Sequence, residues 1–292
     1  MAEAFCHNTK QYAEFEVMRL IKVFQAGGRR FDMGLLDKFK SKIGPKAVKV
    51  TEGGSSIYHY EEKENMGYRT PIAYGTYGEE ISNYFEALFP DREEIVFHEL
   101  VSDLVHIDVY VRKPNEKQNF YVIYTTGMSD MPMTLPEGYT DREDLKYSEL
   151  YMFLPQSWSC GESGKPLSDL EAKDSWIIQY IKFLARFPHE YDTWLGYGHT
   201  IPNGPSYAPL CEGTRMGGVV LSQGGGNMEC VNTADGRKIN LLLVIPAYQE
   251  EIEYKLKYGM SALDEVFRKN ELSMILDITR PNYCSDFQER LD

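Results

Sequence analysis

Apolar residues recur at Phe15, Met18, Ile21 and Phe24, a spacing that predicts an amphipathic helix from Gln11 to Gln25, stopped by Gly27 and Gly28. The pattern Glu79-Glu80-Ile81-x-x-Tyr84-Phe85-x-x-Leu88 predicts another helix, ended by Pro90. The period then changes. Ile107, Val109 and Val111 alternate with His106, Asp108 and Tyr110, and residues 119–126 are rich in aromatic and β-branched side chains. Lys113-Pro114-Asn115 lies between these two runs, so they read as a hairpin. Further strands are expected at 145–154 and 217–221, and the continuous apolar run in 239–245 reads as a central strand buried on both faces. Ser168-x-x-Glu171 has capping-box spacing ahead of the stripe Trp176, Ile177, Tyr180, Ile181 and Leu184, with Pro188 as the expected end. A last helical face, Ile252, Leu256, Met260, Leu263 and Phe267, is interrupted at Gly259, where a bend or break is expected.

Helices mixed irregularly with hairpin-linked strands define an α+β fold with a mixed, largely antiparallel central sheet flanked by helices. The chain has 292 residues, 42% hydrophobic and 26% charged, in keeping with a globular protein of one or two cores. Its net charge of −13 disfavours nucleic acid and favours basic partners. That charge is segregated: residues 29–49 hold seven Lys or Arg against two Asp, so the remainder carries −18. The basic segment is either a solvated linker or an amphipathic helix that touches a membrane surface or a partner. Residues 1–70 are therefore read as an N-terminal helix and basic linker, and 71–292 as the main domain. The longest apolar run, Leu241 to Ile245, is strand-length, so no membrane span is expected. The N-terminus lacks signal-peptide order and the five cysteines are scattered, which places the chain in the cytoplasm with reduced thiols.

Two stretches concentrate chemistry. His98, Glu99, Asp103, His106 and Asp108 supply two imidazoles and three carboxylates within eleven residues, the raw material for a metal site or an acid/base pair. No HExxH or paired CxxC accompanies them, so hydrogen-bonded structural histidines are the favoured reading and no metal or cofactor is assigned. Residues 188–204 combine three glycines and two prolines with Trp194, Tyr197 and His199, which describes an ordered surface loop. His199 has no nucleophile motif beside it, so this loop is read as one that packs or binds. Gly127 is followed by three methionines around a turn, adaptable at a contact surface and equally able to fill a core.

The blocks HELVSDLVHIDVYV (98–111), FYVIYTTGMSDMPM (120–133), ELYMFLP (149–155), ARFPHEYDTWLGYGHTIPNG (185–204) and VIPAYQEEIEYKLKYG (244–259) resemble the suppressor of fused domain in its bacterial, stand-alone form. The resemblance spans about residues 75–285 and implies a mixed α/β domain without demonstrated catalysis. It also implies protein binding: the animal members hold zinc-finger transcription factors by adding a short partner strand, gripped between this domain and a second one. No second domain is expected here, so that clamp does not carry over. For bacterial members the resemblance implies an immunity role against toxins, and an acidic surface suits a basic toxin. The expected function is thus a non-enzymatic module that sequesters a partner protein, with Met128, Asp130, Asp192, Trp194, Tyr197, His199 and Asn203 as the contact surface. The competing expectation is a hydrolase or metal-dependent enzyme that gathers His98, His106, Asp108 and His199 in one pocket.

Overall fold

The computed structural model describes residues 14–20, 47–61, 74–99, 104–159 and 170–287. Its strands are β1 (Glu14–Leu20), β2 (Lys49–Val50), β3 (Ser55–Glu61), β4 (Glu94–Phe97), β5 (Asp108–Arg112), β6 (Phe120–Thr126), β7 (Ser148–Pro155), β8 (Thr200–Pro202), β9 (Gly218–Gln223), β10 (Cys230–Asn232) and β11 (Lys238–Ala247). The helices are α1 (Gly78–Leu88), α2 (Ala172–Glu190), α3 (Gln249–Tyr258) and α4 (Met260–Lys269). All the strands join one sheet in the order β2-β3-β1-β8-β9-β11-β7-β6-β5-β4, with β10 added beside β11. Among the described residues parallel pairing is confined to β1 with β3, β1 with β8, β11 with β7, and an isolated bridge between Phe153 and Ile275. Every other pairing among the described residues is antiparallel, including the β5–β6 hairpin. The fold is the expected α+β arrangement.

Strand alternation divides the core between the two faces of the sheet. On one face Ile81 and Phe85 of α1 pack with Val122 and Tyr124 of β6, Tyr151 and Phe153 of β7, and Leu241 and Leu243 of β11. On the other, Ile177, Ile178, Ile181 and Leu184 of α2 pack with Val109, Ile123, Leu150, Met152 and Leu242. β11 is buried along Ile239–Val244, as its unbroken apolar run requires. A third cluster joins Ile252, Met260, Leu263 and Phe267 of α3 and α4 to Val220 and Ala247. The Arg280–Glu251 ion pair, 2.6 Å and nearly free of solvent, pins the segment after α4 to α3. Among the described residues no helix is long and apolar enough to cross a membrane.

Three expectations change. The helix placed over 11–25 is strand β1, which runs parallel to β3 from Glu14 opposite Ser55 to Leu20 opposite Glu61. Phe15 and Val17 alternate with Glu14 and Glu16, a two-residue period that the helical spacing masked, and pairing with β3 satisfies its backbone groups. α2 starts at Ala172 with Glu171 at its N-cap and no side-chain cap, while Ser168 lies outside the described residues. The same helix continues through Pro188 to Glu190, because a proline in the final turn forfeits only the bond to Leu184. Tyr58 and Tyr60 of β3 lie in the same core cluster as Phe187 and Trp194, so the core extends across residue 70. The basic segment 29–46 lies outside the described residues.

Candidate functional site

A cleft of about 370 Å³ opens at the junction of α1, β5 and β6, lined by Tyr74, Glu79, Ser82, His98, His106 and Asp108, among others. Its floor is set by backbone geometry. Gly127 leaves β6 at φ +99°, and a Cβ there would stand 1.8 Å from the His106 carbonyl oxygen, so only glycine lets the two segments touch. The helical turn after it, Met128–Asp130, is held by Glu149 of β7: the Ser129 N–H donates at 2.9 Å and its hydroxyl at 2.6 Å. The Thr125 hydroxyl donates to the other carboxylate oxygen at 2.6 Å. Burial nevertheless outweighs these donors and pushes the Glu149 carboxyl up to about 7. Asp130 in turn accepts the Thr76 N–H at 3.0 Å and so braces the turn that leads into α1. Burial pushes its carboxyl up, against the backbone donors of Gly75, Tyr77 and Thr76. This brace sets the Tyr74 ring edge-on against His106, with centroids 4.3 Å apart.

Asp108, the first residue of β5, joins the histidines. His98, just after β4, donates from Nδ1 to Asp108 Oδ2 at 2.9 Å, and His106 donates from Nε2 to Oδ1 at 2.9 Å. The ring nitrogens donate because a carboxylate only accepts. Asp108 Oδ1 also takes the Glu99 N–H at 3.0 Å, and Glu99 accepts the Ile107 N–H at 3.1 Å while pairing with Arg186. Lys182 of α2 donates to the Phe97 carbonyl at 2.8 Å; burial lowers its pKa and Asp108 opposes that shift. Asp108 is therefore buried and His106 half-buried, both of them braced, whereas His98 is 62% exposed.

Among the described residues the sheet ends at β4, beside the cleft. The Lys113 N–H donates to the Glu93 carbonyl at 2.8 Å, which fixes the alternation of the β4–β5 ladder. Ile95 and Phe97 bond inward to β5, and the N–H and C=O groups of Glu94 and Val96 point to the open side.

The family model for suppressor of fused protein matches residues 103–281. The chain belongs to the suppressor of fused family. Among solved structures it is similar to a suppressor of fused homolog from Neisseria gonorrhoeae, at 14% identity and a TM-score of 0.50 over 71% of this chain and 96% of the other. A Sufu–Fu complex (12% identity, TM-score 0.48) and Drosophila Suppressor of Fused (13%, 0.46) are also similar. They cover 73% and 71% of this chain and 98% and 51% of theirs. No curated protein sequence matches.

In this suppressor of fused domain the seven residues expected to form a contact surface come together largely as core. Met128, Asp130, Trp194 and His199 are buried. The methionine turn and the 188–204 stretch meet through His189 Nε2 on the Met128 carbonyl at 2.8 Å and the Thr134 N–H on the Thr193 carbonyl at 2.9 Å. Trp194 packs on Tyr139 and edge-on against His199, whose Nδ1 accepts the Gly196 N–H at 3.1 Å. The aromatic content that marked a surface loop is the content of a loop folded inward. Asp192, Tyr197 and Asn203 are half-buried; the Tyr197 hydroxyl bonds Asp264 of α4 and Asn203 donates to the Ala208 carbonyl at 2.8 Å. His199 does not join His98, His106 and Asp108, so the four-residue enzyme pocket is not formed. The residues missed by sequence reasoning are Tyr74, Ser82 and the edge Glu94–Phe97. Only the short apolar run Ile95-Val96-Phe97 before His98 signalled that edge.

Proposed function

We propose that this suppressor of fused domain is a non-enzymatic module that takes up a short extended segment of a partner protein along the open edge of β4 and so sequesters the partner. The observation that carries this is the edge itself: the outward backbone groups of Glu94 and Val96 have no partner among the described residues. An unpaired edge is a template for strand addition, and pockets for alternate side chains supply selectivity. The adjoining cleft offers such a pocket, with the 67%-exposed Tyr74 and His98 at its mouth. A net charge of −13 steers basic partners and repels nucleic acid, which supports a cytoplasmic immunity role against a basic toxin.

Capture from native lysate at low salt, with wild type and Val96→Pro side by side, tests the reading. Proline at 96 removes an outward donor and no bond to β5, so the hairpin survives. Wild type is expected to retain a protein that the variant loses, with recovery falling as salt rises. Equal recovery by both forms, or none by either, would contradict it.

A further inference from the structure

We propose that His98, His106 and Asp108 form a binding site for a divalent first-row transition metal, zinc fitting best, with an open coordination position facing the cleft. One nitrogen from each imidazole and one Asp108 oxygen all lie within 4.8 Å of one another. No other group of three His, Cys, Asp or Glu side chains among the described residues converges in this way. Tetrahedral zinc holds nitrogen and oxygen ligands at about 2.0–2.2 Å, which sets them roughly 3.3 Å apart. The two histidine–carboxylate contacts, each 2.9 Å, already stand near that separation. Small rotations of exposed His98 and of the carboxylate bring the remaining spacing into range. Two imidazoles and one carboxylate, with the fourth position left to water or another ligand, are a donor set typical of zinc and of ferrous iron.

The surroundings fit a metal better than a structural staple. Asp108 is already stabilised by the Glu99 N–H and by His106, so a third partner from a 62%-exposed imidazole is not needed to bury it. Glu99, itself paired with Arg186 and bonded to the Ile107 N–H, fixes the backbone that carries the ligands, as outer-shell groups do around metals. The open side faces the cleft rather than the core. Each imidazole points at Asp108 the nitrogen that would coordinate; metal binding shifts that proton to the other ring nitrogen or to solvent, leaving a neutral ligand.

The test is zinc titration by calorimetry of the full chain after chelator treatment, with cobalt as a spectroscopic probe. Wild type is expected to bind one equivalent and to give the intense visible absorption of four-coordinate cobalt. His98→Ala removes an exposed ligand, and His98→Gln keeps a donor toward Asp108 without an imidazole. Both should lose more than the roughly 10–100-fold in affinity typical of an outer-shell change, with unchanged circular dichroism. Equal zinc affinity in all three forms, or a cobalt spectrum like that of the aquo ion, overturns the site. Neither result bears on strand capture at β4, which is read by Val96→Pro.

Discussion

Trp194 and Glu149 show how burial decides what a residue does. Trp194 is 1% exposed, between Tyr139 and His199, so its removal acts on stability. Trp194→Ala should cost about 3–5 kcal/mol in urea unfolding, as large-to-small core changes do. An interface anchor would instead leave stability near wild type. Glu149 carries a pH signature: its folded pKa, about 7, lies above the ordinary carboxylate value of 4.5. Its contribution to stability is therefore full below about pH 4.5 and is lost as pH rises toward 7, on the order of 3 kcal/mol. Glu149→Gln replaces the titrating carboxyl with a neutral amide, so the stability of wild type relative to this variant should fall across that window; a constant difference would refute the assignment. None of this was legible in the sequence. An aromatic, glycine-rich stretch marks an ordered loop equally well whether its rings face solvent or the core, and Glu149 gives no local sign that Ser129 and Thr125 enclose it.

At the scale of elements, the apolar pattern located α1 and α4 by their helical period and strands β5, β6, β7, β9 and β11 by alternation or by short runs of apolar and β-branched residues. It failed at β1, where Phe15, Met18 and Ile21 fit a helical period while Phe15 and Val17 fit a strand, and the parallel partner β3 decides. It also passed over β4 and β8, which are too short for a pattern to build up. Gly259 is a success of the same reasoning. It sits between α3 and α4 at φ 87° and ψ 165°, a conformation essentially reserved for glycine, so the expected break in the helix is a true corner. Gly259→Ala should lower stability by about 1–3 kcal/mol, read as a shift in the urea midpoint. An unchanged midpoint would mean that the corner relaxes without strain.

Over the whole molecule, the family blocks were legible because they contain the residues with the fewest alternatives. Gly127 against the His106 carbonyl, Glu149 under the methionine turn and Trp194 in the core all lie within them. The same blocks hold His98, His106 and Asp108, but their convergence needed β4 and β5 to be paired in register, which no local pattern specifies. The expected surface of seven residues was a reading of composition, and the fold turned four of them inward. What remains on the outside, among the described residues, is an acidic domain with an open sheet edge at β4 beside a cleft. The central claim is that a partner strand completes that edge. Hydrogen–deuterium exchange of the amides of Glu94 and Val96, with and without the captured partner, tests it most directly. Protection at both amides of the wild type on binding, with the Glu94 amide left unprotected in Val96→Pro, is the predicted result. Unchanged exchange at Glu94 and Val96 while the partner is bound would contradict it.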